Sequence, residues 1–146
     1  MKESDFQTAF RDKNTIHGVF ELKFCKGKSL PFSALVKHQE EALLEASSSE
    51  GVFHKITDQP IFKNEDIKTK TRFTKKKPFD CFLLKNTNAY VVVMWWVPRK
   101  KKKAYYIRIQ DWILARGKAG RKSITEDIAR IYAVKIEDYF KGKNKA

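Results

Sequence analysis

The chain of 146 residues has the length of one compact domain, and its 42% hydrophobic content is that of a folded protein. Lysine and arginine number 31 against 17 aspartate and glutamate, which gives a formal net charge of +14. A charge of this size favours a polyanionic partner, and nucleic acid is the first expectation. An integral membrane protein is not expected, because the longest apolar run, residues 90–97, is far shorter than the roughly 20 residues of a spanning helix.

The N-terminal residues 1–6 include two acids and lack the apolar core of a signal peptide, so we expect a cytoplasmic, nucleoid-associated protein. Cys25 and Cys81 lie outside any C-x-x-C pair, and the three histidines do not complete the spacing of a zinc site. We therefore expect both cysteines to be reduced side chains that pack on strands.

The first predicted element is a short amphipathic helix over residues 3–12. Glu3, Phe6 and Phe10 recur at helical spacing. This spacing places both phenylalanines on the core and Glu3 on the same inward face.

A strand over residues 17–25 is predicted next, because large apolar side chains alternate along it with charged or smaller ones. Glu21 and Lys23 therefore point to one side of the strand. The apolar residues on the other side are Phe20, Leu22 and Phe24.

A helix is predicted from Ser33, a capping residue, to about residue 46. A strand over residues 52–57 follows it, so the two strands and the helix are expected to form a β-α-β unit with parallel pairing. The inward stripe of the helix has one polar member, Gln39. The stripe consists of Leu35, Gln39, Ala42, Leu43 and Ala46.

The second half of the chain predicts a long loop, three antiparallel strands and a closing helix. Residues 58–78 are polar and are expected to form a functional loop. The predicted strands cover residues 79–84, 89–97 and 104–109. A capping box at residues 123–126 begins the helix, whose apolar residues recur as far as Tyr139.

The triplet Glu21-Leu22-Lys23 carries the functional hypothesis. Hydrolysis of a phosphodiester needs a nucleophilic water and stabilisation of charge on the phosphate, which a carboxylate-bound divalent metal and a nearby lysine supply. On one face of a strand, Glu21 and Lys23 lie about 7 Å apart. Alternating charges are also typical of a solvated strand face, and that alternative stays open.

Four short segments extend the pattern around this triplet: FELK at residues 20–23, SLPF at 29–32, HQ at 38–39 and LL at 43–44. Together, over residues 19–46, they resemble the core of archaeal-type, bacterial and phage-like Holliday-junction resolvases, which belong to the PD-(D/E)xK nuclease superfamily. The resemblance implies an α/β fold with a restriction-endonuclease-like mixed central sheet flanked by helices. It also implies a single nuclease domain over residues 1–146, and Mg²⁺, with Mn²⁺ as a substitute, as the cofactor.

The chain departs from this family in the position of one aspartate. Family members carry it on a hairpin strand before E-x-K, whereas no strand-borne aspartate precedes Glu21 here. The KPFD segment at residues 77–80, with the apolar strand after it, resembles that hairpin placed after the E-x-K unit. We therefore expect a rearranged strand order in which Asp80 joins Glu21 as a metal ligand, although a strand-entry role after Pro78 is the alternative.

Two further residues complete the candidate site by resemblance. Glu3 is similar to the first-helix glutamate of the resolvases, and an acid favoured by the helix dipole is the alternative. Gln39 is similar to the inward glutamine that follows E-x-K, and a hydrogen bond to the backbone is the alternative. The candidate catalytic residues are Glu21, Lys23, Asp80, Glu3 and Gln39, with Glu21 and Asp80 as metal ligands.

Basic residues on the predicted loops are expected to contact the DNA backbone rather than base edges. Trp95 and Trp96 alternate on a strand, so one is expected in the core and the other at an interface or stacked on a base. The candidate DNA-binding residues are Lys26, Lys28, Lys70, Arg72, Lys75, Lys76, Lys77, Arg99, Lys100 and Lys101.

The resulting hypothesis is a Mg²⁺-dependent, structure-selective DNA endonuclease that resolves four-way junctions by paired nicks. A homodimer is implied by the resemblance, because symmetric cutting needs two active sites. Two alternatives remain: another nuclease of the superfamily that acts on flaps, nicks or single strands, and a non-catalytic DNA-binding module.

Overall fold

A computed structural model describes residues 2–55 and 81–139, and for residues 54 and 55 it describes the backbone alone. The elements in chain order are α1 (Glu3–Lys13), β1 (Val19–Cys25), β2 (Ser29–Pro31), a 3-10 turn (Phe32–Ala34), α2 (Lys37–Ser47), β3 (Val52–Lys55), β4 (Cys81–Leu84), β5 (Ala89–Trp95), β6 (Lys102–Arg108), α3 (Ile109–Lys118), β7 (Ser123–Thr125), α4 (Glu126–Tyr132) and β8 (Lys135–Tyr139). The described chain is a mixed α/β structure, as the sequence predicts.

A four-stranded mixed sheet with the order β1-β5-β6-β8 organises these elements. Strand β5 pairs in parallel with β1, from Val19 beside Ala89 to Cys25 beside Trp95, and the remaining pairs are antiparallel. All seven residues of β5 are buried. This run of apolar residues is what a strand covered on both faces requires.

The two faces of the sheet have separate cores. On the first, which we call the helical face, Val91 and Val93 pack with residues of α2, α3 and α4. On the second, the α1 face, Val92 packs with Phe6 and Phe10 of α1. The alternation of side chains in β1 follows the same division, since Phe20, Leu22 and Phe24 join the α1 core.

The prediction for the partner of β1 is wrong. Residues 52–55 form β3, which pairs antiparallel with β4 in a separate two-stranded ribbon, and β5 takes the place beside β1. The turn after β4 is held on the end of α2, because Asn86 donates its N–H to the Ser48 carbonyl and Thr87 to that of Ala46. Consequently β4 and β5 do not form the expected hairpin, although the antiparallel pairing of β5 with β6 is confirmed.

The predicted C-terminal helix is also wrong beyond Tyr132. Its predicted start is wrong as well, because residues 123–125 form β7 and Thr125, not Ser123, caps α4 by accepting from the N–H of Ile128. The helix ends because Val134 donates its N–H to the carbonyl of Tyr106 and so directs the chain onto the sheet as β8. Strand β8 then buries Tyr139, whose hydroxyl lies 3.0 Å from that of Tyr106.

The predicted helices in the rest of the chain differ less from the structure. Helix α1 is confirmed almost to the residue. Helix α2 begins after Val36 rather than at Ser33, because a 3-10 turn precedes it, and Ala42 is exposed rather than inward. Helix α3 has no counterpart in the sequence analysis, although it buries Trp112 and Ala115. No helix in the described ranges is long and apolar enough to cross a membrane.

An ion pair joins α2 to α3 and so fixes the layer that covers the helical face. The Arg116 guanidinium donates to both carboxylate oxygens of Glu40, at 2.7 and 3.0 Å. These hydrogen bonds, with the positive charge of Arg116, hold the pKa of Glu40 below its usual value of 4.5. The ion pair therefore favours the folded state only while Glu40 is ionised.

We predict that Glu40→Gln lowers the free energy of unfolding at pH 7 by up to about 1 kcal/mol. Because the pKa of Glu40 is lowered on folding, this contribution is present above pH 4.5 and is lost as the pH falls further. Urea unfolding of both proteins at pH 7 and at more acidic pH measures the difference. Glu41→Gln, which removes a more exposed carboxylate of the same helix, is the control. A difference that stays constant with pH would contradict the assignment.

Candidate active site

Glu21 and Lys23 form a close ion pair on the helical face of β1. Lys23 Nζ lies 3.1 Å from Glu21 Oε1, and the side chains are only 16% and 29% exposed for Lys23 and Glu21. Their partners across the parallel ladder are Val91 and Val93, which are fully buried. The pair is therefore not the solvated strand face that an isolated E-x-K triplet would allow.

Gln39 bridges the two charged groups from the first turn of α2. Its amide nitrogen Nε2 donates to Glu21 Oε1 at 2.8 Å, and its amide oxygen accepts from Lys23 Nζ at 2.9 Å. The same oxygen is 3.3 Å from the backbone N–H of Val36. Leu43 and Ala46, one and two turns further along α2, are buried, so Gln39 lies on the inward stripe as predicted.

The geometry leaves one carboxylate oxygen of Glu21 available. The hydrogen bond from Gln39 and the ion pair with Lys23 both reach Oε1, and no described residue donates to Oε2. Magnesium takes oxygen ligands and is commonly held by one or two carboxylates together with water and phosphate oxygens, so Glu21 fits one ligand position. Within the described ranges, no three histidine, cysteine, aspartate or glutamate side chains are grouped as a complete metal site.

Two of the predicted catalytic residues are not brought to this cluster by the described structure. Asp80 lies outside the described residues. Glu3 is exposed at the start of α1, and α1 packs through Phe6 and Phe10 on the α1 face. Glu3 is therefore on the side of the sheet opposite to Glu21.

The described members of the predicted DNA-binding set lie at the carboxyl end of β1 and β5. Lys26 and Lys28 follow β1, while Arg99, Lys100 and Lys101 follow β5, and all five are exposed. The two segments adjoin, because Trp96 donates its N–H to the carbonyl of Cys25 at 2.8 Å. The other predicted DNA-binding residues, Lys70, Arg72, Lys75, Lys76 and Lys77, lie outside the described residues.

A basic segment that runs from the end of α3 to β7 was not predicted from the sequence. Lys118, Arg121 and Lys122 are exposed there, and the carbonyl of Lys122 accepts the N–H of Phe32 at 3.0 Å. This hydrogen bond places the segment beside the turn that leads into α2 and Gln39. The run of four cations in residues 116–122, with no acid among them, was the available signal.

Comparisons with known proteins add no relatives. No protein-family model, curated protein or solved structure matches this chain. Among these findings, the candidate site is therefore supported by its geometry alone.

We predict that Gln39→Leu lowers the free energy of unfolding by about 1–3 kcal/mol, because Lys23 and Glu21 each lose a hydrogen-bond partner in a largely buried position. Gln110→Leu is the control, since Gln110 is exposed and makes one hydrogen bond, to Ser47 Oγ at 3.1 Å. Its effect should stay within about 0.5 kcal/mol. Chemical denaturation measures both. Equal effects would mean that Gln39 does not bridge the two charges in solution.

Proposed function

We propose that this protein is a Mg²⁺-dependent DNA endonuclease with a restriction-endonuclease-like fold that cuts branched DNA such as four-way junctions. The observation that carries the proposal is the Glu21-Gln39-Lys23 hydrogen-bonded cluster on one face of β1. A carboxylate that can hold a metal and an ammonium group beside it are groups that metal-assisted phosphodiester hydrolysis uses, and the Gln39 amide holds them together.

The described fold supports the restriction-endonuclease-like assignment in a rearranged form. The E-x-K strand β1 is followed by helix α2, which covers Glu21 and Lys23, and by the parallel strand β5. The third group of the superfamily signature would then be Asp80, which follows the E-x-K strand in the chain instead of preceding it. This order is the rearrangement expected from the sequence.

The residues of the cluster have distinct proposed tasks. When bound, Mg²⁺ supplies charge stabilisation for the phosphate and a more acidic water. Glu21 would hold the ion through Oε2, with Asp80 as the second carboxylate. Lys23 would orient the attacking water or donate a hydrogen bond to the phosphate, and Gln39 fixes the distance between Lys23 and Glu21.

Branched DNA is the preferred substrate for electrostatic and geometric reasons. A net charge of +14 attracts phosphate without regard to sequence, and the basic segments after β1, β5 and α3 lie on turns that contain no helix suited to a major groove. Recognition by shape, with several phosphates held together, follows from these features. A homodimer would present two such clusters to a junction.

We predict that Glu21→Gln, Lys23→Ala and Asp80→Asn each lower the rate of junction cleavage with Mg²⁺ by about 100-fold or more. Binding of the same junction in EDTA should stay nearly unchanged, because phosphate affinity comes from the basic turns. Glu41→Gln, at an exposed position of α2, is the matched control and should cleave normally. Full cleavage by one of the three variants would remove that residue from the site. Absence of cleavage by the unaltered protein, with binding retained, would instead leave a DNA-binding module.

We predict paired nicks in opposing strands near the crossover of a four-way junction, and much weaker cleavage of a linear duplex of the same sequence. The reason is that a dimer contacts more phosphates on a junction than on a duplex at the same salt concentration. Gel assays with each strand labelled in turn locate the nicks, and sedimentation measures the oligomeric state. Equal cutting of both substrates, or cutting by a monomer, would favour a general nuclease.

A further inference from the structure

A cleft of about 440 Å³ opens at the carboxyl ends of β1 and β5, apart from the Glu21 cluster. The turn after β1, with Lys26 and Lys28, forms one part of its wall, and the start of α4, with Glu126 and Asp127, forms another part. Trp95 and Trp96 also line the cleft. None of the tasks proposed for Glu21, Lys23 and Gln39 uses this cleft.

The aromatic part of the cleft consists of one buried and one half-buried tryptophan. Trp95 is 4% exposed and belongs to the core of the helical face, whereas Trp96 is partly exposed. The indole N–H of Trp95 is buried and has no hydrogen-bond acceptor among the described residues. An unpaired buried donor is costly, and a partly exposed indole is a surface on which a base can stack.

The α4 wall supplies two hydrogen-bond acceptors, of which Glu126 is held in place. The carboxylate of Glu126 accepts from the Tyr105 hydroxyl at 2.6 Å, and Asp127 lies beside it in the cleft. Burial, together with this carboxylate, raises the pKa of Tyr105 to about 12, so the phenol remains a donor and holds Glu126 in place. Carboxylates accept hydrogen bonds from the amino groups of bases.

The turns after β1 and β5 supply cations. Lys28 and Lys100 line the cleft, and neither forms an ion pair with a carboxylate of the described residues, although Glu126 and Asp127 line the cleft too. Both acids pair instead with Arg130 on their own helix. The lysines are therefore available to a phosphate group.

We propose that this cleft binds one unpaired nucleotide of a DNA strand. The base stacks on Trp96 with its amino edge toward Glu126 and Asp127, and the phosphate contacts Lys28 and Lys100. A lone phosphate would not need the aromatic and acidic parts, whereas a nucleotide uses all three. The proposal rests on the proposed function in one respect, namely that the protein binds DNA.

The position of the cleft connects it to the Glu21 cluster. Cys25, at the end of β1 beside the cleft, follows Glu21 by four residues, which is about 13 Å along a strand. Both features lie on the helical face. An unpaired nucleotide held in the cleft would therefore lie near the cluster, and its position relative to a branch point would set which phosphate reaches Glu21.

The test measures binding of a short single-stranded DNA to the full chain in EDTA, by fluorescence anisotropy, so that no cleavage is involved. Trp96→Ala should weaken binding about tenfold, and Trp96→Phe, which keeps a stacking ring, should restore most of it. Ile131→Ala is the control, because Ile131 is a large apolar side chain that is 77% exposed and does not line the cleft. Thermal unfolding verifies that each variant is folded.

Two further binding measurements test the lysines and the carboxylates that line the cleft. Lys100→Gln should weaken binding and reduce its salt dependence by about one unit of slope, whereas Lys85→Gln, at an exposed lysine at the other end of β5, should have a smaller effect. Oligo-dC should bind more tightly than oligo-dT, because thymine lacks an exocyclic amino group.

Binding that is unchanged in Trp96→Ala overturns the cleft proposal, whether or not the protein cleaves DNA. A preference for oligo-dT overturns the assignment of the acidic wall, and tighter binding of RNA of the same sequence overturns the assignment to DNA. Conversely, binding that depends on Trp96 without any cleavage by the unaltered protein supports the cleft and contradicts the endonuclease activity. The two proposals can therefore fail separately.

Discussion

The parallel pairing of β1 with β5 is the constraint on which the rest of the structure depends. Side chains alternate along a strand, so this register places Glu21 and Lys23 above Val91 and Val93 on the helical face. A shift by one residue would turn both charges toward the phenylalanines of α1 and bring Phe20 and Leu22 under α2. Charges buried without partners cost several kcal/mol, so that arrangement is strongly disfavoured. The pattern that folds the sheet is thus also the pattern that creates the charged cluster.

Helix α2 completes the cluster because a single amide satisfies both charges. A glutamine side chain offers a donor and an acceptor together, which suits the gap between a carboxylate and an ammonium group. Its position depends on the burial of Leu43 and Ala46 further along the helix and on the neighbouring residue, Glu40, which ties α2 to α3. Substitution of Gln39 by an apolar residue would leave two charges with less compensation in a largely buried place. Gln39 therefore both holds α2 on the sheet and fixes the positions of the Glu21 and Lys23 side chains.

Local periodicity was enough to predict α1, β1 and the inward orientation of Gln39, because each depends on residues a few positions apart. The partner of β1 was not predicted, because the pairing of two strands depends on segments that are far apart in the chain. Local patterns favour the strand that is nearer in the chain, at residues 52–57. The sequence nevertheless indicates which strand is central. Residues 89–95 are apolar at every position, as a strand covered on both faces must be, whereas residues 52–55 are not. The end of α4 depends on a tertiary hydrogen bond from Val134 to Tyr106, which no local pattern encodes. For the same reason, the sequence could place Glu21, Lys23 and Gln39 on inward faces but could not show that one amide joins them.

The charges around the cluster act differently at long range and at close range. Glu21 and Lys23 together are neutral, and the oxygen of Glu21 that accepts no hydrogen bond from a described residue is negative. The basic segments lie beyond the cluster, after β1 and β5 at one end and before β7 near the start of α2. They attract a polyanion to the surface as a whole, while Glu21 repels each phosphate at close range. A divalent ion on Glu21 would reverse that local repulsion without disturbing Lys23, whose hydrogen bond to Gln39 holds it beside the same point. Long-range attraction of a polyanion and local repulsion of phosphate at Glu21 thus follow from a single arrangement of charges.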